Sequence, residues 1–507
     1  MGDIRSFFVP PSKKARACDA PVEFTQSEWD VFTDEQRAVI THPYVIDHVY
    51  RVNACAGSGK TTTSRALMRY ESKRYKKCLY IAFNKAVQVV MSSKIQDCKG
   101  CWARTLHSLA FGFCCATGKK DQLDAQFPGP EYPDIGCIAQ AVRETLEIFC
   151  KTAHQSLSSS HLPEEGLEKI TYHIGDLKAR IKRKHDQARQ DLERELERTV
   201  TLQPQILDLA KQVWRAIIAG RCRITFNEAL KLFQVSGAAS EAAYDIVILD
   251  ECQDANPCML DIALQYRSRA AIILIGDENQ MINGWNGACG TKHIPVTAEL
   301  TLMKSFRFGE SIATLAFDIL SRLRPLPVKI TANGGYSSIK TYNPFEKLPG
   351  NIGMILTRKN VNKIRAAMRL WRDGRSIVYN KMTEDYMKSL LALWRWTKGR
   401  SVNKSLDDRY GSVEGFWESK CEDVEVLVSL EDEGMQSLQA FVQTYKQQEQ
   451  RNAVEVCTVH GAKGREMNSV LIWWDIDVHG RDKSIAETVM IAYVAVTRCK
   501  RLLWIPK

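Results

Sequence analysis

The segment Ala54-Cys55-Ala56-Gly57-Ser58-Gly59-Lys60-Thr61 decides the fold class of this chain. It follows the run Val49 to Asn53, which predicts a strand, and it precedes a helical pattern. Glycines in such a loop let backbone N–H groups close around phosphate oxygens, while the N-terminus of the following helix favours negative charge. The segment therefore predicts a phosphate-binding loop in an α/β domain.

The side chains of this loop have expected parts in binding ATP and Mg²⁺. Lys60 is predicted to neutralise the β- and γ-phosphates, and the Thr61 hydroxyl is predicted to bind Mg²⁺. Ala54 stands where the usual pattern has its first glycine. The strand, helix, lysine and threonine together still favour a phosphate loop over a plain glycine-rich turn. The other predicted nucleotide contacts are Ala56, Gly57, Ser58, Gly59 and Thr62.

A second motif supplies carboxylates. The apolar run Ile246 to Leu249 ends at Asp250-Glu251-Cys252-Gln253-Asp254, so Asp250 is predicted at the carboxyl edge of a sheet, where α/β proteins bind ligands. Asp250 is predicted to hold Mg²⁺ through water, and Glu251 to orient or deprotonate the attacking water. Two acids after a strand are common in loops, so this assignment depends on the phosphate loop.

Strand patterns alternate with helical patterns in two groups, which predicts parallel sheet in α/β units. The first group continues with Leu79 to Phe83, Tyr244 to Leu249 and Ala270 to Ile275, and the second comprises Ile352 to Leu356, Val454 to Thr458, Val470 to Trp474 and Leu502 to Ile505. A chain of 507 residues also exceeds what one hydrophobic core usually supports. The predicted segments are a flexible tail (1–25), a first α/β domain (26–90 and 236–298) with a helical insertion (91–235), and a second α/β domain (299–360 and 452–507) with a reduced insertion (361–451).

Several motifs resemble those of UvrD-like superfamily-1 DNA helicases, beginning with Asp250 to Asp254, which has the DExQD form of that family. The others, in order, are Phe32 to Arg37, Ala82 to Ala86, Thr105 to Ser108, Gly276 to Gln280, Ser305 to Gly309, Thr458 to Glu466 and Tyr493 to Arg498. The resemblance runs from about Phe32 to the C-terminus. It implies two RecA-like parallel-sheet motor domains, each with a mostly helical insertion.

The amino-acid sequences of two motifs are most similar to those of the F-box DNA helicase subfamily: Ala82 to Lys85, and Lys304 to Gly309. Little chain precedes Gln36, so neither an F-box nor coupling to a ubiquitin ligase is expected. The chain has Asn283 and Asn286 where the family commonly has a tyrosine and an arginine. Stacking of single-stranded bases is therefore expected to be weaker.

The resemblance also implies roles at the nucleotide. Gln36 reads adenine, Phe306 stacks on it, and Glu466 contributes to nucleotide binding. Gln280 senses the γ-phosphate, while Arg307 and Arg498 meet the charge that develops during phosphoryl transfer.

The implied DNA contacts lie in three motifs, apart from Trp285, which follows the motif Gly276 to Gln280. An alternative reading makes Trp285 a core tryptophan, and His107 and His460 ordinary hydrogen-bonding histidines. The implied contacts are Phe83, Asn84, Thr105, His107, Trp285, Thr458, His460 and Lys463.

The activity implied by the resemblance is that of an ATP-dependent, 3′ to 5′ DNA helicase or single-strand translocase. It would act as a monomer on single strands and single/double-strand junctions, in replication, repair or recombination. One alternative is a translocase that strips proteins from DNA with little unwinding. Another is a nucleotide-binding scaffold on a sliding clamp, against which Glu251, Arg307 and Arg498 argue.

The first residues suggest a partner. Ile4, Phe7 and Phe8 have the spacing of a sliding-clamp-binding box, although Met1 stands where glutamine is usual. Paired phenylalanines in a polar tail favour the clamp box over a disordered end with chance aromatics.

Composition bears on the kind of partner and on the cellular location. The excess of 70 Lys and Arg over 59 Asp and Glu gives a net charge of +11, which favours a polyanionic partner. No apolar run approaches the ~18–20 residues of a membrane span. An intracellular, soluble protein is expected, nuclear in a eukaryote and otherwise cytoplasmic. The charge run Asp176 to Arg198 favours a solvated helix face over a dedicated DNA contact.

The sixteen cysteines are interpreted as free thiols, because nothing routes the chain to an oxidising compartment. Cys98 and Cys101 have the spacing of metal ligands. Tetrahedral zinc usually needs a second pair, so ordinary cysteines are favoured here.

Overall fold

The structure is a computed structural model that describes most of the chain. The described residues are 24–74, 76–124, 126, 128–183, 186–323, 328–379, 381–400, 403, 406, 413–418, 421–445, 453–480 and 486–507, without the side chains of 186, 285, 415 and 418. The predicted clamp box at Ile4, Phe7 and Phe8 lies outside these residues and stays a prediction.

The described chain divides into two compact units. The first comprises the residues up to Ala54, Lys60–Glu278 and Asn283–Leu302. The second comprises Cys55–Gly59, Asn279–Ile282 and Met303–Lys507. Two short segments that lie between stretches of the first unit, 55–59 and 279–282, therefore belong to the second unit.

Within the described residues, the first unit contains a six-stranded parallel sheet in the order β3-β2-β4-β5-β1-β6. Strands β2, β4 and β5 are buried along their whole length, which is why they read as continuous apolar runs. The strands are β1 (Val49–Ala54), β2 (Cys78–Ala82), β3 (Cys101–Thr105), β4 (Ile246–Asp250), β5 (Ala271–Gly276) and β6 (Ala298–Leu302).

Helices cover both faces of this sheet. Leu67 and Met91 belong to the core on one face, and Phe113, Phe149 and Phe233 to the core on the other. The helices are α1 (Gln26–Asp30), α2 (Asp34–Thr41), α3 (Lys60–Ser72), α4 (Lys85–Lys94), α5 (Leu106–Ala116), α6 (Gly136–Lys151), α7 (Glu164–Ile181), α8 (Asp186–Leu202), α9 (Ile206–Ile218), α10 (Phe226–Ser236) and α11 (Pro257–Gln265).

Two strands lie outside the segments predicted for the first motor domain. Strand β3 falls inside 91–235, and β6 falls inside 299–360 apart from its first residue. Both are edge strands with partly exposed residues. Edge strands carry a weaker apolar pattern than central strands, so the sequence did not reveal that these two strands belong to the first sheet.

Among its described residues, the second unit also has a six-stranded parallel sheet, in the order β11-β12-β10-β13-β14-β9. The strands are β9 (Ser338–Tyr342), β10 (Met354–Thr357), β11 (Ile377–Val378), β12 (Val454–Thr458), β13 (Met467–Ile472) and β14 (Cys499–Pro506). A separate two-stranded pair joins β7 (Lys304–Ser305) to β8 (Thr331–Ala332). The helices are α12 (Glu310–Leu320), α13 (Asn360–Arg372), α14 (Lys381–Thr397), α15 (Val413–Glu418), α16 (Glu422–Thr444) and α17 (Ala486–Val496).

The predicted α/β class with two parallel sheets is confirmed. The segment predicted as the reduced insertion, 361–451, contributes the short strand β11 to the second sheet as well as helices. No helix in the described ranges is long and apolar enough to cross a membrane.

Candidate functional site

The phosphate loop has the backbone that its glycines predict. Gly57 and Gly59 have φ angles of +75° and +82°, which L side chains rarely adopt. A Cβ on Gly57 would also lie 2.5 Å from the Cβ of Arg307. The loop ends at Lys60, the first residue of α3, so the positive end of that helix faces the loop.

Hydrogen bonds attach the loop to motif residues of the second unit. The Tyr493 hydroxyl accepts from the Ala56 N–H at 3.1 Å, and the Ser305 hydroxyl donates to the Ala56 carbonyl at 2.8 Å. The N–H of Phe306 donates to the Gly57 carbonyl at 2.8 Å. Ser58 is buried, and its hydroxyl has no hydrogen-bonding partner among the described atoms. A buried hydroxyl without a partner is expected where a polar ligand supplies one.

The two carboxylates of the second motif take different positions. Asp250 is the last residue of β4 and is buried, and its Oδ2 accepts a hydrogen bond from the Tyr80 hydroxyl. Glu251 has a positive φ of +50° and lies 3.4 Å from the Lys60 ammonium. The Gln253 side-chain amide donates to Oε2 of Glu251 at 2.7 Å and so helps to fix the position of that carboxylate.

Asp250 fits the part of a magnesium ligand. Its Oδ1 is buried without a hydrogen-bonding partner in the described structure. Burial, and next the neighbouring Glu251 carboxylate, raise the pKa of Asp250, while Lys60 lowers it. A cation beside Oδ1 would supply both the missing partner and the missing charge.

No group of three or more His, Cys, Asp or Glu side chains in the described ranges is arranged to hold a metal ion. Mg²⁺ commonly keeps several waters and takes one or two protein carboxylates plus substrate phosphates. A site formed by Asp250 and the Thr61 hydroxyl is consistent with that coordination.

The predicted adenine reader, Gln36, is buried. Its amide oxygen accepts from the Thr33 N–H at 3.1 Å, and its amide nitrogen donates to the Thr63 hydroxyl at 3.2 Å. The side chain thus joins α2 to α3 near the phosphate loop. Its contact with adenine stays a prediction, as does that of Thr62, whose side chain is exposed.

Two arginines of the second unit occupy different environments. The Arg307 Nε donates to Glu466 at 2.6 Å, and the Lys500 ammonium approaches the same carboxylate at 2.5 Å. Burial acts to raise the pKa of Glu466, but hydrogen bonds from Lys500 and Arg307 lower it overall. Arg498 is buried and donates to the Gln280 side-chain oxygen at 3.0 Å.

The segment 279–282 also contacts two residues predicted to bind DNA. The Lys463 ammonium donates to the carbonyl of Gln280 at 2.6 Å. A ring nitrogen of His460 lies 2.9 Å from the carbonyl of Ile282. Since Arg498 binds the Gln280 side chain, nucleotide and DNA motifs share this one short segment.

The predicted DNA contacts of the first unit lie at two helix starts. The Asn84 side chain accepts from the Val87 N–H at 2.9 Å at the start of α4, and Thr105 caps α5 by accepting from Ser108 at 3.1 Å. Phe83 is 42% exposed, which leaves part of its ring free for stacking. In the second unit, the Thr458 hydroxyl accepts from the N–H of Gly461 at 3.2 Å.

Sequence reasoning missed an aromatic beside these helix starts. Phe226, the first residue of α10, is 57% exposed, and its ring centroid lies 6.4 Å from that of His107. Burial lowers the pKa of His107, so its ring favours the neutral form. The capping box that Thr225 forms with Glu228 was a sequence signal for the start of this helix. Trp285 lies in the 3₁₀ turn Gly284–Asn286, and its side chain is outside the described atoms.

Comparisons with known proteins agree with this geometry. Residues 32–293, more than half of the chain, match the UvrD/REP helicase N-terminal domain, and residues 357–507 match the UvrD-like helicase C-terminal domain. F-box DNA helicase 1 of Gallus gallus is 25% identical over 528 residues, covering 93% of this chain and 48% of that protein. F-box DNA helicase protein 1 of Schizosaccharomyces pombe (strain 972) is 25% identical over 540 residues, covering 93% of this chain and 57% of that protein. The chain therefore spans about half the length of the curated relatives it matches.

Proposed function

Because the chain belongs to the UvrD/REP helicase family, as its motifs predicted, we propose that it is an ATP-dependent DNA helicase or single-strand DNA translocase. One observation carries the proposal. The segment 279–282 is bound through Gln280 by Arg498 of a nucleotide motif and by Lys463 of a DNA motif. A rearrangement at the γ-phosphate would therefore be felt directly at the DNA contact.

We assign the parts of ATP hydrolysis to six motif residues. Lys60 binds the β- and γ-phosphates, and Asp250 with Thr61 holds Mg²⁺, which neutralises charge on the phosphates when bound. Glu251 orients or deprotonates the attacking water. Arg307 and Arg498 stabilise the charge that builds up on the transferred phosphoryl group.

The DNA ligand is assigned as a single strand and its junction with duplex DNA. Phe83 and Phe226 offer exposed rings, and base stacking on an aromatic contributes about 1–3 kcal/mol per base. Thr105, Thr458 and Lys463 are assigned to the phosphates. Movement from 3′ to 5′, monomeric action, a role in replication, repair or recombination, and a nuclear location follow from the resemblance to F-box DNA helicases.

Protein stripping with little unwinding is a second candidate, and one contact favours it. Asn283, which stands where the family commonly has a larger side chain, donates to Asp254 at 3.2 Å. Its amide thus packs within the first unit rather than extending a stacking surface for bases.

The direct test is steady-state ATPase activity with and without a single-stranded oligonucleotide. The proposal expects strong stimulation by DNA, and an equal rate in both conditions contradicts it. Duplexes with a 3′ or a 5′ tail separate the two polarities, because a 3′ to 5′ motor unwinds only the 3′-tailed substrate. Displacement of streptavidin from a biotinylated single strand, without unwinding of either duplex, identifies the stripping translocase.

Binding of the tail to a sliding clamp is proposed from Ile4, Phe7 and Phe8. Wild-type protein should be retained on immobilised clamp, and the double variant Phe7→Ala/Phe8→Ala should be lost from it. Retention of both proteins to the same extent excludes this box as the clamp contact.

A further inference from the structure

A buried tyrosine lies behind the two residues assigned to magnesium. Tyr80, in the middle of β2, is completely buried. Its hydroxyl donates to Oδ2 of Asp250 and also makes a side-chain hydrogen bond with Thr61. One phenol therefore contacts both residues that the motifs assign to Mg²⁺.

The sheet register explains how Tyr80 reaches Asp250. In the parallel pairing of β2 with β4, Tyr80 lies opposite Ile248, two residues before Asp250. Residues two apart on a strand point to the same face and lie about 6.6 Å apart along it. A tyrosine side chain leaning along the strand is long enough to cover that distance. On this face Tyr80 packs in the same core as Leu67 and Met68 of α3, the helix that carries Thr61 near its start.

The chemistry of the three groups decides which one donates in each of these two hydrogen bonds. An ionised carboxylate only accepts, so the phenol hydrogen goes to Asp250. The phenol oxygen can then accept the hydrogen of the Thr61 hydroxyl. In that arrangement the Thr61 oxygen keeps its lone pairs for a cation, and Asp250 keeps Oδ1, which has no other partner among the described atoms.

We propose that Tyr80 is a positioning residue for the nucleotide-bound magnesium. By engaging Oδ2 of Asp250 and the hydroxyl hydrogen of Thr61, it presents Oδ1 of Asp250 and the lone pairs of the Thr61 oxygen to the ion. The proposal rests on the proposed ATP-dependent function and adds to it a residue that no motif contains. Removing a group that orients a metal ligand typically lowers metal affinity by about 10–100-fold.

The test compares Tyr80→Phe with a matched control, Tyr266→Phe. Tyr266 is equally buried in the first unit, but its hydroxyl has no partner among the described atoms. Binding of a fluorescent ADP analogue to the full chain is measured against Mg²⁺ concentration, and again in EDTA. Y80F should need roughly ten times more Mg²⁺ for half-maximal binding. In EDTA, Y80F should bind the analogue as the wild type does, and Y266F should match the wild type in both conditions.

Several results overturn the proposal. An unchanged Mg²⁺ midpoint for Y80F removes any role at the metal. An equal loss of binding in EDTA, or an equal shift for Y266F, assigns the effect to packing. If Y80F without nucleotide has so low a thermal unfolding midpoint that it is unfolded under the assay conditions, its loss of binding is likewise assigned to packing. Wild-type ATPase that is independent of Mg²⁺ and DNA refutes the proposed function instead, whatever Y80F does.

Discussion

Each unit contains a cluster of three charged side chains, and the two clusters have net charges of opposite sign. In the first, the carboxylates of Asp250 and Glu251 lie beside Lys60, and we name these three residues the acidic cluster. In the second, Arg307 and Lys500 share the single carboxylate of Glu466, and we name these three the basic cluster. The acidic cluster thus has more acid than base, and the basic cluster has the reverse.

The difference shows how each unit is prepared for a ligand. Burial of Asp250 with an unpartnered oxygen is unfavourable unless a cation arrives, so the acidic cluster suits a metal ion. Two cations on one carboxylate leave positive charge for an anion, so the basic cluster suits phosphate oxygens. Changes in the two clusters should therefore differ in kind.

The largest effect is expected in the basic cluster. Arg307→Ala should lower the ATPase kcat by about 10³-fold or more, because an arginine that stabilises the phosphoryl-transfer charge contributes about 10³–10⁵. Steady-state ATPase at saturating single-stranded DNA measures it. Arg372→Ala is the control, since that arginine is exposed and hydrogen-bonds to Ser437 at 2.7 Å. A kcat within a few-fold of wild type for Arg307→Ala breaks the assignment of the basic cluster to the reaction.

In the acidic cluster, Glu251→Gln should lower kcat by about 10²–10⁴-fold, the range expected for general base catalysis. ATP binding, measured by equilibrium titration, should persist because Lys60 and the loop are intact. Glu241→Gln, an exposed carboxylate of the same unit, is the control. If Glu251→Gln instead abolishes ATP binding and leaves turnover of bound ATP unchanged, the acid serves binding rather than catalysis.

A third change tests the close approach of the loop to Arg307. Gly57→Ala adds a Cβ 2.5 Å from that of Arg307, and 2.8 Å from the Ser305 hydroxyl, at a positive φ. Gly118→Ala has a similar φ of +71° but meets nothing within 4 Å. The φ strain costs about 1–2 kcal/mol in both proteins, and only Gly57→Ala adds a clash. Chemical denaturation should therefore show Gly57→Ala as the less stable, with weakened ATP binding. Equal stability of the two variants contradicts the packing described.

The smallest effect should come from Lys500, which pairs with Glu466 but is not assigned a contact with phosphate. Lys500→Ala should change kcat by less than about five-fold, because half-exposed ion pairs contribute about 0–1 kcal/mol. The same ATPase assay measures it. A loss as large as that of Arg307→Ala would mean that the basic cluster acts through its total charge rather than through one guanidinium.

Local motifs could be predicted from the sequence, whereas contacts between distant residues could not. The phosphate loop and the Asp250 motif were readable because spacing along the chain specifies a local turn between a strand and a helix. The contact of Tyr80 with Asp250 joins residues 170 positions apart, and that of Arg498 with Gln280 joins residues 218 apart. No local pattern encodes such pairs, since they depend on which strands become neighbours and in what register.

By itself, the sequence determined the class of this protein, two groups of buried parallel strands and the motif residues that lie at their carboxyl ends. Continuous apolar runs and glycine-rich turns specify these features because they follow from local backbone and burial preferences. Only the tertiary structure decided that Tyr80 contacts both Asp250 and Thr61, that Phe226 lies against His107, and that β3 and β6 complete the first sheet. Those contacts arise from packing and register between distant segments, which periodicity along the chain does not record.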